Sequence, residues 1–215
     1  TEGETKSNSG VAAVDDPLSP PLKKIPSPVS TSPPLIGELS KQSKMLLKAC
    51  DQGNATMVSL LVEKEGVDVN AKRDDQGWTP LMLASSENHV DVVNILLQTA
   101  ALRVNQSKDD NGSTALYIAS EFNHPEVVRL LLSKSDMHID INKATNDGWT
   151  ALNSACHGGN IEVVQLLLSK SDIDINKPMD SGATPLHIAS EFNHPEVVQL
   201  LLSKSDLDIN KAKNN

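Results

Sequence analysis

The chain has 215 residues with 28 acidic and 19 basic side chains, a net charge of −9, and only 2% aromatic residues. Such an acidic balance argues against a nucleic-acid backbone or an anionic membrane as the main partner, so neither is expected. No apolar run approaches the about 20 residues of a membrane helix. Two cysteines do not make a disulfide framework, and reduced thiols without an opening secretory signal place the chain in the cytoplasm, with the nucleus as the alternative.

Residues 1–36 are rich in Pro, Ser, Thr and Gly and show no helical or strand period; seven of the twelve prolines lie between Pro17 and Pro34. A segment of this kind buries too little apolar surface to offset its ordering entropy, so a disordered or polyproline II-like tail is expected. Ser19, Ser27 and Ser32 each precede a proline and have the pattern of proline-directed phosphorylation sites. Lys23-Lys24-Ile25 followed by Val29 has the pattern of a basic-hydrophobic docking element. A plain solvated tail with chance Ser-Pro pairs is the competing reading.

From residue 37 to 215 the chain repeats itself. Ile118 to Asp136 and Ile188 to Asp206 differ only by Arg129 in place of Gln199, and looser copies start at Lys44, Thr79 and Thr150. With Thr114 and Thr184 opening the two near-identical copies, the steps are 35, 35, 36 and 34 residues. Repetition at a fixed period marks a stacked-unit architecture. In the last copy Thr184 has the N-cap residue type, Pro185 suits the first helical turn, and Leu186, Ile188 and Ala189 give a short apolar helix. Asn193 tolerates the left-handed conformation that ends a helix. Pro195 opens a second helix whose Val197, Val198, Leu200, Leu201 and Leu202 form a broad apolar face. Asp208-Ile209-Asn210 is extended and turn-prone, and in internal copies Asp-x-Gly-x-Thr follows, with Asn146-Asp147-Gly148-Trp149-Thr150 the variant. A helix pair of this length cannot bury its apolar face alone and must stack on neighbours. Met137 and His138 are extra in the third copy and should lengthen its connection. The chain opens on Thr1, and its last copy matches the internal ones where a polar terminal face is usual, which fits a piece of a longer protein.

Thr-Pro-Leu-His at 184–187, Glu-Val-Val-x-Leu-Leu-Leu at 196–202, the Asp-x-Asn triplets and Asp-x-x-Gly closely resemble the ankyrin repeat, over about residues 40 to 211. The copies depart from it by Asn-His where Gly-His is usual between the helices and by Ser-Asp after the second helix. The resemblance implies an all-α solenoid of stacked helix-turn-helix units with short β-hairpin-like fingers, and a protein-protein interaction module or scaffold that binds on its concave and finger surface. In such arrays the residue after the turn glycine and two positions at the end of the first helix face the concave side. By that resemblance Trp78, Ser113, Trp149 and Ala183, with Ser86-Glu87, Glu121-Phe122, His157-Gly158 and Glu191-Phe192, are the candidate binding positions. Both tryptophans and both phenylalanines of the chain fall among them, and aromatic side chains are favoured interface anchors. Packing against the neighbouring repeat is the competing role for each ring. Acids such as Glu87, Asp110, Glu121, Asp180 and Glu191 would rim the groove, so a partner protein with a basic and apolar peptide face fits.

No constellation for catalysis, cofactor or metal emerges. Cys156 and His157 adjoin in sequence, and neighbours on a helix do not face each other. Cys50 and Cys156 lie three repeats apart, on the order of 20–30 Å at about 8–10 Å per helix spacing, too far to bridge. Asp74-Asp75 and Asp109-Asp110 sit in turns without the remaining ligands of a calcium loop. His89, His124 and His194 recur at one inter-helix position, which marks a structural role. The expectation is a monomeric, non-enzymatic binding module; the alternative is a regulatory or targeting part of a larger enzyme, such as a protein kinase or ubiquitin ligase.

Overall fold

The computed structural model describes residues 39–73 and 76–211. The expected tail over 1–36, with Ser19, Ser27 and Ser32, lies outside the described residues, as do Asp74 and Asp75. The described chain forms five helix pairs: α1 (Lys41–Asp51) and α2 (Ala55–Val62), α3 (Pro80–Ser86) and α4 (Val90–Leu96), α5 (Ala115–Glu121) and α6 (Pro125–Ser133), α7 (Ala151–Gly158) and α8 (Ile161–Leu168), and α9 (Pro185–Glu191) and α10 (Pro195–Leu202). A short 3-10 turn, Ser135–Met137, follows α6 and leads into His138 at φ 47°, so the two extra residues of the third copy are taken up there. No strand forms among the described residues; each finger is a turn closed by backbone hydrogen bonding.

Local chemistry sets the helix ends. The hydroxyl of Thr79 accepts from the Met82 N–H at 3.3 Å, that of Thr114 from Tyr117 at 3.2 Å, and that of Thr150 from Asn153 at 3.2 Å, each occupying a donor that the first helical turn leaves free. Thr184 differs: its N–H donates to His187 Nδ1 at 3.3 Å, and its hydroxyl lies 2.8 Å from the same nitrogen. The elbow within each pair turns on one left-handed residue, Gly53, Asn88, Asn123, Gly159 or Asn193, with φ between 56° and 68°. Glycine at 53 and 159 meets a second demand, since a Cβ there would lie 2.6 Å from the His89 ring and 2.5 Å from the His194 ring.

The pairs stack in two layers. The first helices pack α1 on α3, α3 on α5, α5 on α7 and α7 on α9; the second helices pack α2 on α4, α4 on α6, α6 on α8 and α8 on α10. Between the layers Leu46, Leu61, Leu83, Leu96, Leu131, Leu152, Leu167 and Leu201 are at most 2% exposed. Cys50 and Cys156 are buried in this core as free thiols. Burial pushes the Cys50 thiol up to about 12, with the Asp51 charge adding to it, and burial likewise raises Cys156.

Polar bonds tie unit to unit at the same places. The Asn70 amide donates to Ala101 O (2.8 Å) while its oxygen accepts from Arg103 N–H (2.7 Å). Asn105 does the same with His138 O and Asp140 N–H, Asn142 with Asp172 O and Asp174 N–H, and Asn176 with Asp206 O and Asp208 N–H, all between 2.6 and 2.9 Å. One side chain thereby satisfies a donor and an acceptor of the following loop. The recurring histidines bridge in the opposite direction: His89, His124 and His194 place Nε2 within 2.8–3.1 Å of Asp51 O, Ser86 O and His157 O, and Asn160 Nδ2 takes that role on Ser120 O at 2.9 Å. Lys170 and Lys204 donate to Leu132 O and Leu168 O, carbonyls at the C-terminal ends of the preceding second helices. The lone difference between the near-identical copies also has a partner: Arg129 reaches Glu162 at 2.7 Å and Glu126 at 3.5 Å across the exposed face of α6 and α8.

Leu167→Ala should cost about 2–5 kcal/mol, as truncation of a buried leucine does, and urea denaturation measures it. Asn142→Ala should cost about 1–3 kcal/mol by leaving two groups of the next loop unpaired, whereas Glu196→Ala on the exposed face of α10 should stay within about 0.5 kcal/mol. Both thiols should resist alkylation of the native chain at pH 8 and react only once it is unfolded. Because the folded Cys50 pKa lies above its unfolded value of about 8.5, its contribution to stability is complete below that pH and declines as pH rises from there toward about 12.

Candidate functional site

The face built by the first helices and the fingers carries most of the ring side chains. Each finger closes through a backbone bond from its first residue: Arg73 N–H to Trp78 O, Lys108 to Ser113, Thr145 to Trp149 and Met179 to Ala183, at 2.8–2.9 Å, and the N–H groups of Gly112, Gly148 and Gly182 donate back to Lys108 O, Thr145 O and Met179 O at 2.8–3.1 Å. Successive fingers are joined by Asp109 N–H to Gln76 O (2.9 Å), Asn146 N–H to Asn111 O (2.8 Å) and Asp180 N–H to Asp147 O (3.3 Å). This close approach explains the turn glycines. Gly77 has φ 81°, and a Cβ on it would lie 2.7 Å from the Asp109 backbone nitrogen. The residue after the glycine is thus fixed in direction, toward the neighbouring finger and the ends of the first helices.

The two tryptophans occupy equivalent positions and have different surroundings. Over the half-buried Trp78 ring sit Lys108 Nζ, 4.3 Å from the centroid, and the Arg73 guanidinium carbon at 5.7 Å. Its Nε1 donates to Gln76 Oε1 at 3.2 Å. Lys108 is also ion-paired with Asp110 at 3.2 Å and its side chain is 9% exposed. Arg73 bonds Asp51 at 3.0 Å, and Lys72 pairs with Asp109. This end of the face is therefore closed over by its own cations.

Trp149 instead joins His157 and Phe192. The His157 ring lies edge-on to Trp149 with centroids 5.5 Å apart, and its other side meets Phe192 at 4.2 Å, interplanar angle 65°. The three rings come from one finger, the end of α7 and the cap of α9, so two units build the cluster. Phe192 is 47% exposed and His157 is exposed as well. Phe122 stands apart, 53% exposed, stacked at 6.3 Å on His124. Glu87 is exposed at the C-terminal cap of α3.

Two of the positions inferred from resemblance do not offer side chains to a partner. Ser113 and Ala183 are 2% and 3% exposed, enclosed between fingers, because their small side chains do not reach past the turn. Two residues outside the expected set belong to the face: Lys108, through Trp78, and Tyr117, half-buried in α5. Burial raises the Tyr117 pKa, the Glu121 and Asp147 charges add to it, and a hydrogen bond with the Ser154 side chain opposes it. Burial also raises the Glu121 carboxyl, against the pull of Lys108 and His157. Tyr117 thus lies within electrostatic reach of Glu121 and Asp147, and Glu121 within that of His157 in the ring cluster. A signal for Lys108 exists in the copies: it aligns with Arg73, Thr145 and Met179 at the start of each finger.

Among the described residues no group of three His, Cys, Asp or Glu side chains converges as a metal site would. None of their helices is long and apolar enough to cross a membrane. The geometry offers rings, carboxylates and hydroxyls along a stacked face.

The family model for ankyrin repeats matches three times, over residues 33–108, 104–179 and 137–213, whereas no curated protein matches the chain. The three matches overlap, and each is about twice as long as one helix pair, so their number is not the number of pairs. Stacked helix pairs joined by finger turns, matched in this way over most of their length, make this chain a member of the ankyrin-repeat family.

Proposed function

We propose that the chain is a protein-binding module or scaffold that holds a partner on the face formed by its fingers and first helices. Ankyrin repeats are generally protein-protein interaction modules, and the family is a non-catalytic interaction fold. The observation that carries the reading is the half-exposed cluster of Trp149, His157 and Phe192, built from two units in a chain that is only 2% aromatic. The hydrophobic core lies between the two helix layers and is complete without Phe192, which is 47% exposed. Aromatic anchors set in a polar rim are the usual energetic centre of an interface. Glu121, which acts electrostatically on His157, and Asp147, which acts on Tyr117, favour a partner segment that is basic as well as apolar. Phe122, Glu87 and Trp78 would extend the contact toward the first units. Binding by a monomer, in the cytoplasm or nucleus, belongs to the same reading, as does a regulatory role for Ser-Pro sites in a tail spanning residues 1–36.

The test is a comparative capture from native lysate with the full chain as bait, beside a Trp149→Ala/Phe192→Ala variant and an Ile161→Ala control on the opposite layer. All three must first show equal helical circular dichroism. Proteins held by the native chain and the control, and lost from the double variant, are the expected result, with affinity for a recovered partner reduced about 30-fold or more. Identical catches from the native chain and the double variant would overturn the proposed face.

A further inference from the structure

Trp78 and Trp149 are copies of one structural position, and the chain shows what that position does when a cation is at hand. The residue that opens each finger donates to the carbonyl that closes it, which aligns Arg73, Lys108, Thr145 and Met179. At Trp78 the opening residue of its own finger, Arg73, and that of the next finger, Lys108, both bring a positive charge over the ring. At Trp149 the same two places hold Thr145 and Met179. Among the described residues no lysine or arginine lies over the Trp149 ring. Two further rings pack beside it instead, His157 on Trp149 and Phe192 on His157, and Glu121 acts electrostatically on His157.

The geometry points to Trp149, His157 and Phe192 as a receptor for an arginine side chain of the partner protein, in the place that Lys108 fills at Trp78. This inference rests on the proposed binding face and names the group that the face reads. A ring face attracts a cation electrostatically, and arginine adds a planar, weakly hydrated guanidinium that stacks on aromatic surfaces. The charge is complementary: Glu121 acts electrostatically on His157 and Tyr117, Asp147 on Tyr117, and the whole chain carries −9. Trp78 is excluded as a second receptor because its face already holds Lys108 at 4.3 Å. The two tryptophans, alike in sequence context, therefore have opposite roles, one in holding fingers together and one in recognition.

The chain contains two tryptophans, so a ¹⁵N-labelled sample gives two indole N–H signals, assigned with Trp78→Phe and Trp149→Phe. The probes are N-acetyl-arginine methylamide, its lysine analogue, and the citrulline analogue, which keeps the shape of arginine and removes its charge. The Trp149 signal should move saturably with the arginine probe and less with the other two, while the Trp78 signal stays in place. Phe192→Ala should weaken the arginine response about threefold to tenfold, the effect of losing one ring from a cation–π set. An equal response from citrulline or lysine would overturn arginine recognition. A silent Trp149, or a Trp78 signal that moves as far, would overturn the receptor. If Trp149 is silent while the Trp149→Ala/Phe192→Ala bait still loses its partner, only this inference falls and the binding face stands. If both tests fail, the face falls with it.

Discussion

The fold depends on each unit completing the polar backbone of the unit after it. The loops between helix pairs are turns that bond only part of their own backbone, as Lys143 N–H to Asp140 O does at 3.3 Å, so their remaining N–H and C=O groups need outside partners. Asn70, Asn105, Asn142 and Asn176 supply them, each amide bonding an acceptor and a donor two residues apart in the following loop. The spacing is strict because a primary amide presents one donor side and one acceptor side. That strictness sets the register at which the helix layers meet, and the leucine core fills the space it defines. Among the described residues no such asparagine precedes the first unit, and α1 with its cap supplies the substitute: Ser43 Oγ accepts from Asp68 N–H at 3.0 Å and Ser40 donates weakly to Gly66 O at 3.4 Å. Coupling of this kind is between nearest neighbours only, which is the energetic character of stacked-repeat proteins.

Much of this was legible in the sequence because the copies repeat their punctuation. Threonine before α3, α5, α7 and α9, Asn or Gly at each elbow and Gly in each finger are residue types suited to those caps and left-handed turns, and they adopt them. The core followed from the runs of leucine and valine. The recurrence of His89, His124 and His194 correctly marked a structural role, although their carbonyl partners in the preceding unit could not be read. What the sequence did not disclose are side-chain pairings across units. Trp78 and Trp149 look alike in their own motifs, and the difference between them is made by Lys108 and Met179, about one repeat further on. Ser113 and Ala183 match the alignment of binding positions and are enclosed, since whether a side chain emerges from between fingers depends on its length. Tyr117 carries no signal of its own in the repeat pattern, and its place near Glu121, Asp147 and Ser154 requires three elements to be seen together.

The candidate face shows how a repeat array varies its surface without disturbing its scaffold. Backbone-to-backbone bonds and glycine turns hold the fingers, so the residues that follow the glycines are free to vary. In the second unit that freedom is used to build an internal cation–π layer. In the fourth and fifth it produces rings packed edge to face with their outer sides open. The second-helix layer, by contrast, presents scattered apolar residues such as Leu60 and Ile161, without a gathered cluster of rings.

The near-identical segments have a consequence of their own. Residues 118–136 and 188–206 differ at one position, yet the first is covered by a following unit and the second has a described neighbour on one side only. Ser120 is 0% exposed while Ser190 is open; Val128 is 0% exposed while Val198 is half-buried. The protein thus contains a matched pair in which, Arg129 and Gln199 apart, chemistry is held constant and the environment changes. Amide-exchange rates at the paired residues would differ by the free energy that one neighbouring unit confers, read within a single molecule and without any substitution.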